Sequence, residues 1–424
     1  MSGRKADQAS TRARDSSPLS GVRVLEVGGY IAAPYASSIL CSLGAEVIKI
    51  EHPEGGDAFR RGVDHASPYF AQYNAGKKSV AVDLKQADGV ELVKLLVRTS
   101  DVFIENVRPG KLEALGLGSA ACLTENPRLV YTSVTGFGEV GPLVQRPAYD
   151  SIGQSLGGLY SILNDPDDAR LSGTCLADLI TGIVAATGVL AGLVARGHGA
   201  AGTVVQTSMF EAVSTLTIDA LTQLGETGVP PTRESRHPQA QNFCLRTGDG
   251  ERLTLHLSSS DKFWHQLADL VDKPELKSDP RFLTYSDRVE NYLELRAVLE
   301  PVFSQRDSVK WGRLLTGADI PFAPVLNLAD VVGHPQTGAL DLMTTGVDQT
   351  RLVHAPWRFA GSRPKRVTDV PRIGEHSRQI AVTVFSEPKV QQLLEAGTLF
   401  QALENQPTDD IAQHANTLTS SEAS

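Results

Sequence analysis

The chain has 424 residues, of which 41% are hydrophobic and 21% charged, and a formal net charge of −9. Such a balance belongs to a globular protein with room for two or three domains. No basic block is large enough to track a phosphate backbone, which argues against nucleic-acid binding. Cys41, Cys122, Cys175 and Cys244 lie far apart, with no Cys-x-x-Cys or Cys/His cluster. Neither a zinc site nor a disulfide framework is expected, and a reducing, cytoplasmic setting is.

Residues 1–18 are polar, lack an apolar stretch and read as a disordered tail rather than a signal peptide. A β-branched run at 22–27 ends in Gly28-Gly29, a helical pattern follows over about 34–43, and a second strand spans 46–51. Strand, glycine turn, helix and strand in this order make a βαβ unit and hence a parallel sheet. The glycine turn resembles a dinucleotide or methyl-donor fingerprint, but the third glycine is absent and Pro34 stands at the helix entry. The unit survives and the cofactor signature does not. After a loop over 52–66, strands are expected at 79–85, 101–106 and 127–134, with a helix over 87–98. The alternation predicts a doubly wound α/β domain whose ligand sits at the carboxyl ends of the strands. Arg60, Arg61, Lys77, Lys78, Lys85 and Arg108 fall on loops and strand ends, and are expected together to face a ligand carrying several phosphates.

A helix is expected within 147–160, ending at Gly157-Gly158, then a polar loop over 164–170. The stretch 173–196 places Asp178 at the head of an uncharged run in which Ile183, Val184, Leu190, Leu193 and Val194 recur at helical spacing, with Gly182, Gly188 and Gly192 between. This reads as a buried helix that another backbone approaches closely. A carboxylate in a first helical turn meets free N–H groups and the positive end of the dipole. Asp178 is therefore expected to be partly buried yet ionised, as a carboxylate nucleophile must be; a capping aspartate without chemistry is the plain alternative. The uncharged run 179–195 falls short of the ~20 apolar residues of a membrane span. Cys175 reads as a small buried filler. A strand at 203–208 and a helix over 209–224 close a first domain, 19–224. A Gly/Pro-rich linker is expected at 225–240, a small domain at 241–330, a return segment at 331–400 that completes the first domain, and a polar tail at 401–424.

Several stretches together, in order, resemble one family. They are Ala-Ala-Pro-Tyr-Ala (32–36), Leu-Gly-Ala-Glu-Val-Ile-Lys-Ile-Glu (43–51), Asn-Ala-Gly-Lys-Lys-Ser-Val-Ala-Val-Asp-Leu-Lys (74–85), Glu-Asn-Val-Arg-Pro-Gly (105–110), Asn-Pro-Arg-Leu-Val-Tyr (126–131), Ala-Tyr-Asp (148–150), Leu-Ala-Asp-Leu-Ile-Thr-Gly (176–182), Ile-Pro-Phe-Ala-Pro-Val (320–325) and Gly-Glu-His (374–376). The family is the class III CoA-transferases of the CaiB/BaiF type, which also holds formyl-CoA transferases and α-methylacyl-CoA racemases. The resemblance implies a Rossmann-like large domain with a parallel sheet, built from both chain ends, a smaller α+β domain, and an interlocked homodimer. It places the catalytic aspartate at Asp178. It places coenzyme A contacts at Ile31, Ala32, His52, Val82, Asp83, Leu84, Lys85, Asn106, Val107, Arg108, Pro147, Ala148, Tyr149 and Asp150. His52 and Ala114 stand where well-studied members carry arginines, with Arg108 as the replacement cation. The glycine loop of formyl-CoA transferases is not visible between Arg236 and Gly250.

The implied partners are an acyl-CoA donor and a carboxylic acid acceptor, with coenzyme A as co-substrate, no tightly bound cofactor, no metal, no nucleic acid and no membrane. The implied reaction moves CoA between acids through a mixed anhydride and an aspartyl-CoA thioester. Racemases of the family carry a histidine in a Gly-His-Asp setting; here that place reads Ala148-Tyr149-Asp150. Tyrosine, with a pKa of ~10, is a poor base near neutrality, so the transferase reading outweighs the racemase one. A non-catalytic acyl-CoA-binding subunit is the third reading.

Overall fold

The computed structural model describes residues 17–62, 67–165, 167–346 and 349–402. The two expected tails lie outside them except for residues 17–18 and 401–402. Six strands pair in parallel: β1 (Arg23–Val27), β2 (Glu46–Glu51), β3 (Lys78–Val82), β4 (Val102–Glu105), β5 (Val130–Thr135) and β6 (Thr203–Ser208), in the order β3-β2-β1-β4-β5-β6. A short strand, Leu399–Phe400, joins the outer edge of β3 antiparallel. Parallel strands covered on both faces must be apolar on both. Leu25, Ile48, Val80 and Phe103 pack on one face against the helices Ala87–Arg98, Ser377–Ala381 and Glu387–Glu395. Val24, Val47, Val102 and Val130 pack on the other, against α1 (Ala32–Ser42) and the Asp178 helix, Leu176–Gly197. The chain runs outward from β1 through β2 to β3, then returns to β4 and runs the other way. A crevice therefore opens where the carboxyl ends of β1 and β4 part.

The Asp178 helix is 22 residues long, and by length and composition alone it could cross a membrane. The uncharged run seen in the sequence is its middle. Its small residues Ala177, Thr181, Gly182, Ala185, Ala186, Val189 and Gly192 are buried. A Cβ on Gly182 would stand 2.9 Å from the Ala32 carbonyl oxygen, and one on Gly192 2.9 Å from Val130. The glycines thus permit the close approach the spacing suggested.

The described chain divides into two compact units. The first takes the residues up to Leu159, Leu171–Ile218 and those from Asp341 onward; the second takes Tyr160–Arg170 and Asp219–Leu340. In the first unit the C-terminal segment stitches β3: Gly374 N–H donates to Ser79 Oγ (2.9 Å), and Ala81 N–H to Ser377 Oγ (3.0 Å). Gly374, at φ +67°, lies so close to the Phe400 carbonyl that a Cβ would stand 2.5 Å from it. The second unit has its own three-stranded antiparallel sheet, Asn242–Arg246, Arg252–His256 and Phe322–Pro324. Its separate core is built on Trp264, Trp311, Phe243 and Phe303.

Two expectations are corrected. The single helix over 209–224 is two, Met209–Ser214 and Ile218–Thr227. The hydroxyls of Ser214, Thr215 and Thr217 bond the carbonyls of Glu211, Ala212 and Val213, a competition that disfavours helix propagation. The expected linker 225–240 is part of the second unit and carries a short helix, Arg236–Ala240.

Candidate active site

Below the crevice lies a buried ionic tier. Glu26, on β1, pairs with Lys49 (2.6 Å) and Lys77 (2.7 Å) and accepts from Ser37 Oγ (2.5 Å). Lys49 also pairs with Asp57 (2.8 Å) and donates to the Gly28 carbonyl (2.8 Å). Burial opposes the charge on Glu26, but the two ammonium groups overcome it and hold the carboxyl down to about 2. Asp57 then accepts the N–H of Tyr30 (3.1 Å), which sits at φ +64°. Asn106 clamps the other side of the turn, accepting Gly29 N–H (3.0 Å) and donating to Gly29 O (2.9 Å). Asp57 and Asn106 thus hold the glycine turn from both sides. It presents the Tyr30 ring edge-on to Phe59 and Tyr149, with centroids 5.4 Å apart in both pairs.

These rings form part of the wall of a cavity of about 500 Å³ at the carboxyl ends of β1, β4 and β5. Of the sequence-predicted residues, Ile31, Ala32, Asn106, Val107, Arg108, Pro147, Ala148, Tyr149 and Asp150 line it together with Asp178. His52, Val82, Asp83, Leu84 and Lys85 do not; they end or follow β2 and β3 farther along the same edge of the sheet. Val82 is buried in the core, so its side chain is closed to a ligand. The Asp83 carboxylate accepts Lys85 N–H (2.9 Å), a bond that holds its pKa below the usual range. His52 and Lys85 are exposed.

The expected phosphate-binding set is corrected at three positions. Lys77 is consumed by Glu26. Arg60 is buried, pairs with Glu51 (2.6 Å) and stacks on Phe70. Lys78 lies at the amino end of β3, paired with Glu46 (2.6 Å), away from the ligand edge. Arg61, Lys85 and Arg108 remain exposed. Sequence reading missed Tyr30, Phe59, Arg146 and Met209, all of which line the cavity. A tyrosine directly after Gly28-Gly29 was the one available signal; Arg146 and Met209 belong to no pattern.

Asp178 stands in the first turn of its helix, 8% exposed, and opens on the cavity. The expectation that helix N–H groups would keep it ionised is corrected. Asp150 Oδ1 accepts the N–H groups of Ala177 (2.9 Å) and Asp178 (3.2 Å). Burial, and after it the neighbouring Asp150 charge, push Asp178 up to about 7. A carboxyl so tuned is more basic, once ionised, than an exposed one, which suits nucleophilic attack on a thioester. Cys175 also lines the cavity, but burial, with Asp150 behind it, raises its thiol pKa, so it is not a ready thiolate. Among the described residues no group of His, Cys, Asp and Glu could hold a metal ion.

A family model described as CoA-transferase family III matches residues 19–377. An acetyl-CoA:oxalate CoA-transferase of Acetobacter aceti is 34% identical over 339 residues, 78% of this chain and 87% of that protein. A succinyl-CoA:glutarate CoA-transferase of Mus musculus is 31% identical over 401 residues, 91% of each chain. Among solved structures, a CaiB/BaiF family protein from Brucella suis superimposes with a TM-score of 0.76 at 30% identity, covering 88% of this chain and all of that one. The Mycobacterium tuberculosis protein Rv3272 does so with a TM-score of 0.78 at 32% identity, covering 86% and 99%. The match takes in the six parallel strands, the cavity and Asp178, and on that evidence the chain belongs to CoA-transferase family III and is a CoA-transferase.

Proposed function

We propose that this enzyme exchanges CoA between an acyl-CoA thioester and a free carboxylic acid by covalent catalysis at Asp178. The Asp178 carboxylate attacks the thioester carbonyl; the carbon–sulfur bond breaks, leaving a mixed anhydride and CoA thiolate. The thiolate attacks the Asp178 carbonyl, the donor acid leaves, and an aspartyl-CoA thioester remains. The acceptor carboxylate then attacks that thioester, and the same two steps run in reverse. Covalent catalysis divides one difficult exchange into easier ones. The observation that carries this reading is one carboxyl, 8% exposed and with its pKa raised, opening on the cavity.

Arg108 and Arg146 on the cavity wall supply positive charge for a CoA phosphate or for a second carboxylate on the acceptor. The relatives named for oxalate and glutarate support a small dicarboxylic acid as acceptor. The contacts at His52 and 82–85 belong to the same proposal: they would take the nucleotide end of coenzyme A beyond the cavity. A homodimer and a cytoplasmic location complete the reading.

The Asp178→Ala variant is expected to lose exchange while keeping its circular dichroism spectrum. Wild-type enzyme with a donor acyl-CoA is expected to gain the mass of CoA less one water, removed by hydroxylamine. Undiminished exchange in the alanine variant would refute the covalent role. Rapid α-deuterium wash-in without an acceptor acid would point to racemase chemistry instead.

A further inference from the structure

We propose that Asp150 is a positioning residue for Asp178: its carboxylate closes the open end of the Asp178 helix, takes the N–H groups that the nucleophile would otherwise bond itself, and sets a negative charge beside it. The inference rests on Asp178 being the nucleophile. It reassigns Asp150, which the family resemblance placed among the coenzyme A contacts.

The geometry is specific. An aspartate in the first turn of a helix normally bonds free N–H groups there, and a carboxylate so bonded is a weaker base. Here those donors are occupied from another helix. Asp150, the first residue of the helix Asp150–Leu156, reaches across so that Oδ1 accepts from Ala177 (2.9 Å) and Asp178 (3.2 Å). The carboxylate is itself fixed. Gln154, buried one turn along, donates to Asp150 Oδ2 (2.6 Å) and to the Thr174 carbonyl (3.1 Å). Ser172 Oγ donates to Gln154 Oε1 (2.8 Å). The chain leading into the Asp178 helix is thus tied to the Asp150 helix at Ser172, Thr174 and Ala177.

Two consequences follow for the chemistry. Asp178 keeps its lone pairs for the substrate, and the charge on Asp150 opposes early ionisation of its neighbour. Such separation of two nearby carboxyl groups into different roles is a recurrent device in active sites. The other titratable groups around Asp178 do not supply it. Cys175, at the N-cap of the same helix, and Tyr73 from the helix Pro68–Asn74 are both raised by burial, and Tyr35 on α1 is raised likewise. Arg108 and Arg146 lie on the cavity wall, and neither contributes to the Asp178 shift.

Three proteins separate this role from a structural one: wild type, Asp150→Asn and Asp150→Ala. Asparagine retains an oxygen for the two N–H groups and caps helices as well as aspartate does, but it lacks the charge. The readouts are the pH profile of exchange and the 13C titration of the Asp178 carboxyl in resting protein, without substrate. For Asp150→Asn the acid limb and the carboxyl titration are both expected to move down by about one pH unit, with kcat at pH 8 falling about tenfold and KM for acyl-CoA changing less than about threefold. For Asp150→Ala, which also frees the N–H groups, both shifts are expected to be larger. An Asp150→Asn protein with the wild-type titration and pH profile would overturn the proposal, whether or not the alanine variant folds. If Asp178→Ala kept exchange, the covalent reading would fail, yet the substrate-free titration would still decide whether Asp150 governs Asp178.

Discussion

Asp178 carries a cost that can be measured in the absence of substrate. Its pKa rises from 3.8 to about 7 on folding. Between those values the folded chain binds more protons than the unfolded one, so stability falls as pH rises through that window. The Asp178→Asn variant, neutral throughout, is expected to match wild type near pH 4 and to exceed it above pH 7 by roughly 2–4 kcal/mol, read by urea unfolding. Glu26 behaves in the opposite sense. Its pKa falls from 4.5 to about 2, so its contribution is present above 4.5 and is lost as pH falls toward 2. Glu26→Gln leaves Lys49 and Lys77 buried without their shared carboxylate, and is expected to cost about 3–5 kcal/mol at pH 7 in the same assay. At this scale the sequence was half legible. Asp178 stood out because one charge headed a long uncharged run. The fate of Lys77 and Arg60 did not, since a cation beside a glycine loop looks the same whether it meets a phosphate or a buried glutamate.

Contacts between elements turn on small residues. The Asp178 helix lies against α1 because Gly182 presents no Cβ to Ala32 and Tyr35. Gly182→Val would force the helices apart and is expected to lower stability by about 2 kcal/mol or more, as overpacking does. Gly197→Ala, at the end of the same helix with open space around it, is expected to be neutral or slightly stabilising. A pair of chemical denaturation curves checks the contrast, and equal losses would remove the role given to the close approach. Periodicity located the strands 23–27, 46–51 and 203–208 and the helix 87–98 within a residue or two, because the sheet is apolar on both faces, but it did not find the helices Pro68–Asn74, Ser119–Glu125 and Glu387–Glu395 or the strand Asn242–Arg246. It failed at residues 214–217, where hydroxyl side chains compete for backbone carbonyls.

The whole molecule presents apolar side chains that one chain alone leaves uncovered, among them Ile183, Val194, Phe210 and Leu216 in the first unit and Leu221 and Val229 in the second. The proposed homodimer would cover a contiguous patch of such side chains. The proposed homodimer is expected to sediment at twice the 45.4 kDa of one chain, and a monomer at micromolar concentration would oppose it. The amino-acid order by itself determined the α/β class, the βαβ start, the loss of a third glycine and the family motifs, because each depends on neighbours within a few turns of chain. Only the tertiary structure decided that Asp150 caps the Asp178 helix across 27 residues, and that Asn106 holds Gly29 across 77. It alone decided that Tyr30 and Tyr149 share a wall and that Asp178 is raised rather than lowered. The environment of a charge is set by whatever folding brings beside it, and hydrogen-bond partners distant in sequence leave no periodic trace.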